Sequence, residues 1–324
     1  MDLVNVIESA YADSPTLQDW LDGVLAASLP LLDRGFGVVG YTVDARDLGA
    51  ITTANHCHRG DRPEVREGLL LAESVFAGSG PDDPRRTLHT RPVSTMSMHV
   101  DAARTFGLDD SVDALRGARD MIGVVAADPT GCGVSTGALL PEVTTPTSAD
   151  VRRWSRVAAH LAAGFRLRRS APGDGEAVLE PAGKIAHAVG DAKAAPAREA
   201  LARAAIAVDR ARGRVRRENN DDAVEVWRGL VAGRWSLVER FESDGRRYLI
   251  ARQNDPKVDA LPMLTERERQ VLIFRALGHS LKLIAYELGL SKATVSRTFS
   301  RAKAKLGIRS PADLMALLAA PRAS

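Results

Sequence analysis

Cysteine and long apolar runs are scarce in this 324-residue chain, and each shortage removes a class of protein. Only two cysteines occur, Cys57 and Cys132. They are far apart and form no C-x-x-C, so neither a secreted disulfide framework nor a thiol redox motif is written here, and a reducing cytoplasm fits this usage. Nothing approaches 18 uninterrupted apolar residues, which argues against a membrane-spanning helix. The start, Met1-Asp2-Leu3-Val4-Asn5, lacks the basic region and apolar run of a signal peptide. There is no Gly-x-Ser-x-Gly elbow, P-loop or His-Glu-x-x-His. No catalytic residue, metal or cofactor is therefore assigned, and the chain is not expected to be an enzyme.

What is present is an uneven distribution of charge. The net charge of +3 hides 11 Lys+Arg against 4 Asp+Glu from Pro262 to Ser324, which leaves 33 against 37 in the remainder. An acidic body with a small basic tail is the pattern expected when only the tail meets nucleic acid. The length is also too great for one typical core, so two or three domains are expected.

Along the chain, 2–33 reads as helical, with Leu17, Trp20, Leu21, Val24 and Leu25 on one face. A strand over 36–44 and a partner over 48–54 form a hairpin. A helix is expected over 64–76, a loop over 78–86 and a short helix over 109–118. Strands over 121–127 and 133–140 follow, and then a long helix over 146–169 that Thr147 or Ser148 caps. After a linker at 170–175, two short strands surround Pro181-Ala182-Gly183. Helices over 197–212 and 223–231 precede a hairpin of 235–241 with 246–252 about Asp244-Gly245. The Arg-rich run 210–217 reads as a solvated helix end. Helices segregated around antiparallel strands define an α+β class.

The last sixty residues are the most explicit. Thr265 with Glu268 three residues on is a capping box, Gly278 ends that helix, Ser280 caps a second and Ser291 a third. Ser310-Pro311 begins a fourth helix, with Leu314, Met315, Leu317 and Leu318 on its apolar side. Helix, Gly289 turn and helix is a helix-turn-helix. In the third helix Val295, Phe299, Ala302 and Leu306 recur at steps of four, three and four and make the buried stripe. Ser296, Arg297, Ser300, Arg301 and Ala304 then face outward, and no acid occurs between Glu287 and Asp313. Such a face fits the major groove, where Arg bonds guanine edges and Ser either base type. Lys282, Lys292, Thr294, Lys303 and Lys305 flank it and, with Arg301, are placed to neutralise phosphates. Ile273 and Leu277, four apart on the first helix, are expected to dock on the body or on a second subunit.

Leu264-Thr265, Arg267-Glu268, Val271-Leu272, Gly278, Ile284-Ala285, Ser291, Thr294-Val295 and Lys305-Leu306-Gly307 resemble the LuxR-type helix-turn-helix domain over 262–320. The resemblance implies an all-α four-helix fold and dimerisation through the fourth helix. It also implies base reading by Ser296, Arg297 and Ser300, with backbone contacts from Lys282, Thr294 and Lys305. Thr298 and Ser296 stand where that family usually carries His and a basic residue. Upstream, 1–170 resembles a GAF-type sensor in pattern and 174–255 a degenerate PAS-like unit. The expected protein is a cytoplasmic, homodimeric transcription regulator that binds double-stranded DNA. Its sensory region takes an unidentified small-molecule or protein effector, and RNA polymerase is a candidate partner.

Two other readings compete. Thr294 to Leu306 is also close to region four of sigma factors, but those need a helical promoter-melting domain where this chain has glycine-punctuated hairpins. His56-Cys57-His58, with His89, His99 and Cys132, offers metal-ligand types without paired ligand spacing, so a loop or pocket-wall role is expected.

Overall fold

A computed structural model describes residues 2–44, 52–68, 70, 91–101, 113–169, 175–241, 246–256, 263–310 and 313–314. The loop at 78–86, the turns at 45–47 and 243–245 and most of the 170–175 linker lie outside the described residues. So do the second half of the 64–76 helix, His89, and the fourth C-terminal helix beyond Leu314.

The helical stretch expected over 2–33 is two helices, α1 (Leu3–Tyr11) and α2 (Leu17–Leu32). Helix α1 ends at the extended Ala12, Pro15 lies in the connection, and Thr16 starts α2 by accepting the Asp19 amide. Five strands follow: β1 (Val38–Asp44), β2 (Thr52–Arg59), β3 (Val93–Thr95), β4 (Asp120–Ala127) and β5 (Cys132–Leu140). They form one antiparallel sheet of order β2-β1-β5-β4-β3. The partner of β1 therefore runs on to Arg59, and His56-Cys57-His58 is strand rather than loop.

Every residue of the central β5 is buried, because both faces of the sheet are covered. Val134 and Ala138 face the main core with α2 and the long α3 (Ser148–Arg169). Leu139 faces a smaller cluster with Phe36, Val65, Met96 and Leu115. This is the period-two alternation of a strand, with apolar residues on both sides. Helix α1 crosses α3 closely, since a Cβ on Gly164 would lie 2.1 Å from the Ala10 carbonyl oxygen.

The middle of the chain supplies β6 (Ala177–Leu179), β7 (Ile185–Ala188), helices α4 (Ala195–Arg212), α5 (Arg214–Glu218) and α6 (Asn220–Val226), then β8 (Trp235–Phe241) and β9 (Arg247–Gln253). These strands form a second antiparallel sheet, β7-β6-β9-β8. Buried residues of α4, α6, β8 and β9 belong to the same cluster as those of α1, α2 and α3, so the two halves of the body share one core. The Arg-rich run is a solvated end only in part: Arg210, Arg214 and Arg217 are exposed, whereas Arg212 and Arg216 are not. Arg212 pairs with Glu8 and Glu239, and Arg216 with Asp2 and Glu8, which ties this segment to α1. The helix expected over 223–231 stops at Val226. Trp227 is extended and turns its carbonyl toward the C-terminal domain. No helix among the described residues is long and apolar enough to cross a membrane.

Candidate nucleic-acid interface

Among the described residues the C-terminal domain has the helices α7 (Glu266–Ala276), α8 (Leu281–Glu287) and α9 (Lys292–Leu306), with Asp313 and Leu314 helical beyond them. Their starts follow from side-chain caps. Thr265 accepts the Glu268 amide while the Glu268 carboxylate accepts the Thr265 amide at 2.9 Å, a complete capping box. Ser280 and Ser291 accept the amides of Leu283 and Thr294. Gly307, in the left-handed region at φ 67°, ends α9. A buried His279 Nδ1–Glu287 Oε2 pair, 2.9 Å long, braces the two ends of α8.

Helix α9 divides as its sequence period requires. Val295 and Ala302 are fully buried, and Phe299 and Leu306 are partly buried against the same clusters. Ser296, Arg297, Ser300, Arg301 and Ala304 are exposed on the other side. The cations around this face are not equivalent. Lys305 donates to Glu268 Oε2 at 2.6 Å, and with the Thr265 amide it holds the Glu268 carboxyl below the usual range. Lys303 lies over the Phe299 ring, 5.7 Å from its centroid. Lys282, Lys292, Arg297 and Arg301 have no ion pair among the described residues. Thr294 Oγ1 is 2.8 Å from Ser291 Oγ, at the first turn of α9.

The body holds the domain from the other side, through residues the sequence does not advertise. The Tyr286 hydroxyl is buried and donates toward the Val224 and Trp227 carbonyls at 2.6 and 2.8 Å. His160 on α3 has Nε2 2.8 Å from that hydroxyl and Nδ1 3.0 Å from the Tyr11 hydroxyl. One proton arrangement satisfies these contacts: Tyr11 donates to Nδ1, Nε2–H donates to the Tyr286 oxygen, and Tyr286 donates to the backbone. Burial keeps His160 neutral, with its pKa lowered from 6.5 to about 3, and pushes the Tyr286 and Tyr11 hydroxyls up. The guanidiniums of Arg228 and Arg156 lie 4.6 and 5.6 Å from the Tyr286 ring centroid.

Two more contacts complete the joint. Arg267 donates to the Ala232 carbonyl at 2.9 Å. Gly289, the turn of the helix-turn-helix, has φ 61° and packs so closely that a Cβ would lie 2.1 Å from the Leu230 carbonyl oxygen. The Leu230 side chain enters the domain's own apolar cluster with Val271, Phe274, Ile284, Leu288 and Val295. Ile273 on α7 is buried, and Leu277, the C-cap that follows the helix, is half-buried. A lone histidine in the apolar face of α3, and a tyrosine beside Ala285 on α8, were the only sequence signals of this joint.

Among the described residues no group of three or more His, Cys, Asp or Glu side chains could hold a metal. On β2, His58 Nε2 is 2.9 Å from the Phe36 carbonyl oxygen, and the Cys57 thiol accepts from Gln18 Nε2 at 2.7 Å.

Helices α7 to α9, the last of them capped, acid-free and exposed on one face after a glycine turn, define a helix-turn-helix DNA-binding domain. Residues 262–318, less than a fifth of the chain, match the family model described as GerE, bacterial regulatory proteins, luxR family. No curated protein matches the chain.

Proposed function

We propose that the chain is a sequence-specific DNA-binding transcription regulator. Its α+β body, GAF-like over 1–170 and PAS-like over 174–255, controls the C-terminal domain. The observation that carries this reading is the exposed face of α9, with Ser296, Arg297 and Ser300 outward while its apolar stripe is buried. Arg297 and the two serines read base edges, and Lys282, Lys292, Thr294 and Arg301 hold phosphates. Lys305 joins them only by leaving Glu268. A homodimer would set two such helices about one DNA turn apart. The body grips α8 and leaves the reading face of α9 uncovered. Control therefore acts through how the two α9 helices of a dimer are spaced and oriented, by shifting the population of body–domain arrangements when an effector or RNA polymerase binds.

The test is a pair of substitutions. Arg297→Ala should relax sequence preference at one position of a selected site, costing about 1–3 kcal/mol there. Lys282→Ala should weaken specific and random duplex alike and lower the salt slope by about 1. Indistinguishable effects of the two variants on specific and random DNA would refute the assignment of roles.

A further inference from the structure

A cleft of about 920 Å³ separates the body from the DNA-binding domain, and its lining does not resemble an ordinary crevice. Arg91, Arg152, Arg156 and Arg228 face it from the body, and Lys282 and Lys292 from the helix-turn-helix. Among the described residues Glu225 is its single acid, and Glu225 is already paired with Arg156. Arg152 and Arg228 have no acid partner among the described residues. Arg228 is partly buried against the Tyr286 ring, and desolvation lowers its pKa. An arginine held there without a counter-ion has lost water and gained only a ring face, a state that an incoming anion relieves.

Apart from Ser148, Ser155, Ser280, Ser291 and the Tyr286 hydroxyl, the rest of the wall is apolar. Met98 and Val151, both exposed large hydrophobic residues, line the cleft together with Val93, Leu283 and Leu290. A path built only for a DNA backbone would be an open, polar strip of cations. A volume in the range of small-molecule sites, with apolar walls and a few charged groups, is the lining that takes a compact organic ligand.

We propose that this interdomain cleft binds a small organic anion, with two or more negative charges on an apolar or aromatic body. The charges meet Arg152, Arg228, Lys282 and Lys292, and the apolar part lies against Met98, Val151 and Leu283. Such a ligand bridges body and domain, so it favours the docked arrangement. On the functional reading above, it also occupies Lys282 and Lys292, two of the phosphate-binding cations, so ligand and DNA weaken each other reciprocally.

The probe is bis-ANS, an aromatic disulfonate, titrated by fluorescence into the full chain without DNA. Binding is expected at one site per chain, weakened about tenfold by Arg228→Gln and by Arg152→Gln. Arg152 is exposed and unpaired among the described residues, so its neutralisation leaves folding intact and keeps the test valid if Arg228→Gln loosens the joint. Saturating bis-ANS is expected to weaken binding of a random-sequence duplex to the native chain. Titration that shows no single site, or affinities that both variants leave unchanged, would overturn the proposal. So would an Arg152→Gln variant that lowers duplex affinity and salt slope while binding bis-ANS normally, because the body cations would then belong to the DNA footprint. A chain that binds no duplex at any salt but keeps the variant-sensitive bis-ANS site would refute the regulator reading and leave the site standing.

Discussion

Tyr286 sits inside a seven-residue helix whose two ends are already fixed, by the Ser280 cap and the His279–Glu287 pair. Phenylalanine would keep its ring but not its hydroxyl, which joins the Val224 and Trp227 carbonyls to His160. Tyr286→Phe should therefore lower stability by about 1–3 kcal/mol, the cost of taking the hydroxyl donor from the buried Val224 carbonyl and leaving His160 Nε2 with the Trp227 carbonyl, 3.1 Å away, as its remaining partner. Urea denaturation followed by intrinsic fluorescence reads this directly, and an unchanged midpoint would mean that packing alone makes the joint. Gly289→Ala tests a different quantity. Its Cβ would meet the Leu230 carbonyl oxygen, and its φ of 61° suits glycine. Relief requires the body to move, so the variant should be destabilised by more than the roughly 1 kcal/mol of the backbone conformation alone. A loss confined to that figure would show that the joint yields freely.

Helix α3 carries the element-scale consequence, because His160 is fully buried between Tyr11, Trp227 and Tyr286. Unfolding returns its pKa from about 3 to near 6.5. Between those values the unfolded chain binds a proton that the folded chain refuses. Stability is thus fully present above pH 6.5 and falls as pH drops toward 3, by roughly 1 kcal/mol or a little more per unit. Comparing native chain and His160→Gln between pH 6.5 and 5 isolates the effect before most carboxylates titrate, and equal slopes would refute it. The same helix shows what the sequence discloses. Its length, its Thr147 cap and its apolar face are local properties, legible from period and end signals, as are the caps of α7, α8 and α9 and the buried stripe of Val295, Phe299, Ala302 and Leu306. The two-helix start, the extension of β2 through Arg59 and the end of α6 at Val226 were not legible in that way. The last of these depends on a partner far along the chain: Trp227 leaves the helical path where its carbonyl meets Tyr286, 59 residues away. The ion pairs of Arg212 and Arg216 are illegible for the same reason, since they reach Glu8 of α1, its N-cap Asp2 and Glu239 of β8.

At the scale of the whole molecule, the apolar core of the DNA-binding domain is not self-contained. Leu230, from the segment between α6 and β8, is 2% exposed and packs with Val271, Phe274, Ile284, Leu288 and Val295. Without the body those side chains would face water, and Gly289 and Arg267 would lose the backbone carbonyls they rest on. Two domains joined by a tether would melt separately; two that share a core residue and a buried hydrogen-bond network should not. Calorimetry of the full chain is therefore expected to show one transition that includes the C-terminal domain. Leu230→Ala should shift that transition as a whole, with the about 2–5 kcal/mol typical of a leucine truncated in a packed core. Tyr286→Phe should add less than its separate effect, because both substitutions loosen one joint. Two resolved transitions in the native chain, or a Leu230→Ala variant that softens only the body, would show that the domain keeps its own core and that body and helix-turn-helix move independently. A single transition instead means that a change at the joint reaches α9 through packing, since Val295 of the recognition helix and Leu230 of the body lie in one cluster.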